Sequence, residues 1–124
     1  MVHPFTIDAA SGLASVSMGR TVKGTDIDET LRALYQHADW RQGFSTLWDA
    51  LSLTSLSLEF DDLPRLVATQ REFSAVAGPG RDVLVVRRPI DRAMAEMYAT
   101  MARACGRTTH VCRTREEAAQ ILFS

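Results

Sequence analysis

Hydrophobic positions recur every second residue near the start of the chain and every third or fourth residue soon after. Ala14, Val16 and Met18 alternate with Ser15 and Ser17, the period of a half-buried strand. With Phe5–Asp8 before it and Ala9-Ala10-Ser11-Gly12 between, this segment predicts an antiparallel hairpin. From Thr25 the period becomes helical. Ile27, Leu31, Leu34, Tyr35 and Ala38 share one face, and Asp26 with Glu29 reads as a capping box. Phe44–Asp49 predicts a strand, followed by a hydroxyl-rich stretch over 50–58 that is extended in part.

Asp61 and Asp62 open a second helix, whose face carries Leu63, Leu66, Val67, Gln70, Phe73 and Ala77 and which Gly78-Pro79-Gly80 stops. The apolar run Val83–Val86 predicts a strand buried on both faces and central in the sheet. A third helix follows Pro89. Its predicted packed face is Ile90, Met94, Met97, Met101 and Cys105, with Gly106 as C-terminal cap. Thr109–Cys112 gives the last strand, and Thr114 with Glu117 opens a final helix bearing Ala118, Ile121 and Leu122. The order ββαβαβαβα predicts an α/β fold: one mixed, mostly parallel sheet with an N-terminal hairpin and about four helices.

Composition narrows the class. The 124 residues fit one domain over 1–124, and 46% hydrophobic with 23% charged residues excludes disorder and disulfide scaffolds. No apolar run approaches the length of a membrane span, and the first residues lack the basic and apolar segments of a secretion signal, so a cytoplasmic location is expected. The net charge of −1 argues against nucleic-acid binding. Charge is unevenly spread, with four basic and nine acidic residues in 1–62 against ten and six in 63–124. Interleaving of both signs on one surface is the simplest account. Cys105 and Cys112 are expected as free thiols, and the scattered His3, His37 and His110 offer no metal site. No cofactor is implied.

The succession of elements resembles the SpoIIAA-like proteins, relatives of the STAS domains (anti-sigma-factor antagonists), and at fold level the CRAL-TRIO carriers. The resemblance is carried by the early hairpin, the helix opening at Thr25-Asp26, and Trp40 before a strand ending Leu47-Trp48-Asp49. It continues through the helix containing Arg92–Tyr98, Val111-Cys112 in the last strand and Glu116-Glu117-Ala118 opening the last helix. It implies a regulatory role through a protein partner. In phosphorylated STAS domains the acceptor serine follows a strand-end Asp in an Asp-Ser-Ser/Thr-Gly turn. Here the stretch is Asp49-Ala50-Leu51-Ser52-Leu53-Thr54. The Asp is present and the adjacent serine and glycine are not, which leaves Ser52 and Thr54 as the available acceptors.

Ligands of open α/β sheets bind beyond the carboxyl ends of the strands. That rule selects a candidate rim of Asp49, Ser52 and Thr54, then Arg87 and Arg88, then Arg113, with the Tyr98 hydroxyl close by. Asp49 paired with an arginine is the structural alternative, and Arg88 is expected to be exposed and dispensable for stability. Met94, Met97 and Met101 read as packed core, with an adaptable apolar pocket as the alternative. No residue set names a reaction, so catalysis is not expected. The leading expectation is a non-catalytic regulatory or interaction domain that binds a protein partner at the rim and its adjoining helix, with a homodimer as a further expectation. The alternatives are a carrier or sensor of a small apolar or amphipathic ligand and an enzyme of unrecognised type.

Overall fold

Most apolar segments pair or pack as their period requires. The computed structural model describes residues 1–123. Among them are strands β1 (Phe5–Asp8), β2 (Leu13–Ser17), β3 (Thr21–Lys23), β4 (Ser45–Ala50), β5 (Ser55–Ser57), β6 (Arg81–Val86) and β7 (Thr108–Cys112). The helices are α1 (Gly24–Gln36), α2 (Asp62–Glu72), the single turn α3 (Ser74–Ala77), α4 (Pro89–Met101) and α5 (Arg115–Phe123), with a 3-10 turn at Ala102–Cys105 after α4. None of the described helices is long and apolar enough to cross a membrane.

Five strands form a mixed sheet in the order β1-β2-β4-β6-β7. The hairpin pairs antiparallel, Phe5 opposite Val16 and Ile7 opposite Ala14, and every later neighbour is parallel. Four expectations change. The strand at the middle of the sheet is β4, and β6, which holds Val83–Val86, lies next to it. The sheet is not alone, because β3 and β5 pair in a separate parallel ribbon with Val22 opposite Leu56. Each of these strands is one apolar residue between polar ones, too short to show a period. The described helices number five because the backbone leaves helical geometry at Phe73 (φ −96°, ψ 11°), which splits α3 from α2. Asp26 is also not the cap of α1. It lies inside the first turn, where its carboxylate accepts the Lys23 backbone N–H at 3.1 Å.

The crossovers decide where space is left. α1, α2 and α4 all lie on one face of the sheet, over Val16, Trp48, Leu84 and Val86, whereas α5 alone covers Val83, Val85 and Cys112 on the other. Since β2, β4, β6 and β7 follow in one direction, strand order never reverses, and the sheet lacks the crevice that a reversal creates at the strand ends. Trp40 and Trp48 are core residues, 5% and 6% exposed. Both cysteines are buried free thiols, and burial, with Glu117 nearby, raises the Cys112 pKa.

Candidate functional site

Three of the rim residues, Asp49, Thr54 and Arg88, are placed as structural partners. Asp49 points to the α5 side of the sheet, where Oδ2 accepts Arg115 Nε at 2.9 Å and Oδ1 accepts the Leu51 N–H at 3.1 Å. Arg88 is not a free arginine. Its Nε and Nη2 meet both oxygens of the buried Asp91 at 2.5 and 2.9 Å, and its Nη1 donates to the Thr54 carbonyl. That bidentate pair raises the Arg88 pKa, the Asp91 hydrogen bonds being the largest cause. The expectation that Arg88 is dispensable for stability therefore gives way. It ties the start of α4 to the segment before β5. The Thr54 hydroxyl donates to the Arg20 carbonyl at 3.2 Å. Ser52, Arg87 and Arg113 are exposed.

A different site lies under the helices. A cavity of about 120 Å³ runs between α1, α2, α4 and the sheet. Its floor is Trp48, Leu84 and Val86; one wall is Leu31 and Leu66; the opposite wall is Met94, Ala95 and Tyr98. Leu53, Leu56 and Leu58 flank it at the β5 end. It follows β6 from Val86 to Asp82, roughly 13 Å at the rise of a parallel strand. Leu56, Leu58, Met94 and Ala95 are half-buried and form its open edge.

The groove has a local cause. The apolar face predicted for α4 is rotated away from the sheet, for Ile90, Met97 and Met101 are 65%, 51% and 37% exposed. The inward side chains are Asp91, Met94, Ala95 and Tyr98, one helical face displaced by a single residue. Asp91 turns back to Arg88 and Ala95 is short, so nothing fills the space above Leu84. The burial pattern of β6 records this: Val83, Val85 and Val86 are buried, and Leu84 between them is only partly covered.

The deep end is polar and tightly bonded. Trp48 Nε1 donates to Thr46 Oγ1 at 3.0 Å, which donates to Asp82 Oδ1 at 2.6 Å. Arg107 holds the same carboxylate, Nη2 to Oδ1 at 2.8 Å and Nε to Oδ2 at 3.0 Å. Its remaining donors reach the carbonyls of Phe44, Ala77 and Gly78 at 2.7, 3.2 and 2.9 Å. Burial is the largest single influence on Arg107 and opposes its charge, but the hydrogen bonds and attraction to Asp82, with Tyr35 and Tyr98, together outweigh it and the pKa is raised. The adjacent Gly80 can only be glycine, because a Cβ there would stand 2.7 Å from Arg107 Nη1 and 2.8 Å from the Phe44 carbonyl. Beside this network the Tyr35 hydroxyl and the Gln70 amide bond to each other at 3.0 to 3.2 Å. Burial raises the pKa of Tyr35 and of Tyr98 well beyond the ordinary phenol value.

Of the rim and methionine-pocket candidates named from the sequence, only Tyr98 and Met94 line the groove. The Asp82–Arg107 network was missed. The signal lay in Asp82, a carboxylate sharing the strand face of Leu84 and Val86. Among the described residues no group of three or more His, Cys, Asp or Glu side chains is placed to hold a metal ion. The chain matches no protein-family model and no curated protein.

Proposed function

We propose that this chain is a non-catalytic binding module that holds a small apolar or amphipathic molecule between α2, α4 and the sheet. One observation carries the reading: Leu84, on an interior strand between β4 and β7, stays partly uncovered although three helices lie on its face. Apolar side chains supply most of the surface around it, with a few polar groups at one end, the composition of a small-molecule site. The mixed sheet with flanking helices agrees with the SpoIIAA-like and carrier resemblance, which adds support at the level of architecture.

The test is thermal denaturation with benzene as a minimal apolar probe. A ligand that binds only the folded chain raises the melting temperature with its concentration. Leu84→Trp fills the groove and should remove the benzene effect in a variant that still melts cooperatively. A wild type indifferent to saturating benzene ends this reading.

A second reading is protein binding, through a surface other than the rim. Ile90, Met97 and Met101 lie on the outer side of α4 and Phe60 is fully exposed, a set of apolar side chains with the character of an interaction site. Native mass spectrometry of the freshly purified chain separates the two: retained small mass supports the first, and a homodimer abolished by Met97→Glu supports the second.

A further inference from the structure

We infer that the groove selects a small neutral molecule bearing one hydrogen-bonding oxygen, an alcohol or ketone of about six carbons, over the corresponding carboxylate, and that Tyr98 is the residue that reads the oxygen. This rests on the reading of the groove as a ligand site and adds the charge class of the ligand.

The polar groups of the groove are otherwise spoken for. Asp82 is held by Arg107 and Thr46, Asp91 by Arg88, and Gln70 and Tyr35 hold each other. The Tyr98 hydroxyl takes part in no hydrogen bond among the described residues, and the causes of its raised pKa are burial and neighbouring charge alone. It is not sealed in the core either. Among the described residues the buried side-chain nitrogen and oxygen atoms without a partner are His3 Nε2 and Arg92 Nε. An unpartnered phenol on the groove wall that is still accessible points to a ligand oxygen as its partner.

The local field sets the sign of that ligand. After burial, the Asp82 carboxylate is the largest influence on the Tyr98 phenol, raising its pKa more than Arg107 lowers it. The charged residues that line the groove are both carboxylates, Asp82 and Asp91, and among the described residues no Lys or Arg lines it. A carboxylate placed there would lose its hydration and face Asp82, and the nearby cations are already engaged, Arg107 by four partners and Arg88 by Asp91 and Thr54. A neutral oxygen accepts or donates one hydrogen bond without that cost. Size follows from the 120 Å³ volume, of the order that takes up a benzene-sized molecule.

The experiment is amide chemical-shift titration of the full chain and of Tyr98→Phe with 1-hexanol, hexanoate and benzene at neutral pH. Benzene should bind both proteins alike. Hexanol should bind the wild type about 3- to 10-fold more tightly than Tyr98→Phe, the worth of one hydrogen bond. Hexanoate should bind the wild type at least about 10-fold more weakly than hexanol. Hexanoate binding as tightly as hexanol, or hexanol unaffected by Tyr98→Phe, overturns the inference while benzene binding leaves the groove reading intact. Failure of all three probes on the wild type overturns both. The hexanol–hexanoate comparison needs no variant, so a misfolded Tyr98→Phe does not shelter the inference.

Discussion

The two faces of β6 are built from neighbouring residues and packed to opposite ends. On one face α5 alone seals Val83 and Val85 to 0% exposure. On the other, three helices leave Leu84 partly open. The number of covering elements therefore does not decide whether a sheet is sealed. The side chains pointing inward decide it. α5 sends Ala118, Ile121 and Leu122 onto the sheet, whereas α4 sends a pinned carboxylate, a half-buried methionine, an alanine and a tyrosine whose hydroxyl has no partner among the described residues. A closely packed interior leaves no such space.

The comparison breaks most severely at the base of the groove. Arg107→Ala leaves Asp82 charged and buried and removes three carbonyl contacts. It should cost about 3–5 kcal/mol in chemical denaturation, the range for breaking a buried ion pair. Next in size is Arg88→Ala, which strands the buried Asp91 and frees the start of α4. It should lower the melting temperature clearly and weaken benzene binding, and an unchanged melting temperature would show that Arg88 does not anchor α4. The two faces are compared directly by Val85→Ala and Leu84→Ala. On side-chain size alone the leucine should cost more. Because it is already partly wet, we expect about 2 kcal/mol for Val85→Ala and about 1 kcal/mol for Leu84→Ala, and the reverse order in urea melts would mean that the groove is closed in solution. Smallest is Arg115→Ala. Its partner Asp49 is a quarter exposed and Arg115 itself is 69% exposed, so the melting temperature should stay within error of the wild type, as for other surface pairs.

The legible parts of the chain were those with a repeating local signal. Ala14, Val16 and Met18 marked an alternating strand, Leu63 to Phe73 a helical face, and Gly78, at φ +68°, the end of that segment. The strand-end site was less informative, since Asp49 and Arg88 are consumed by partners 66 and 3 residues away. A charged residue in a sequence carries no label that says whether its partner is a ligand or the fold.

α4 marks the boundary between the two kinds of information. Its length, its start at Pro89 and its stop before Gly106, at φ +88°, follow from local chemistry: a fixed φ that favours the first turn and a backbone position open to glycine. Hydrophobicity alone oriented it with Ile90, Met97 and Met101 inward. The fold turned it by one residue, because Arg88 neutralises Asp91 and lets a carboxylate face the sheet. By itself the sequence determined the five strands of the main sheet, the four longer helices, their order and the mostly parallel α/β character, all set by local period and connection. Tertiary structure alone decided the rotation of α4, the pairing of Asp82 with Arg107 and the open floor at Leu84. The first and last follow from Asp91 being pinned by Arg88 and the second from Asp82 being met by Arg107, 25 residues away, and the period of apolar positions contains no information about either charge pair.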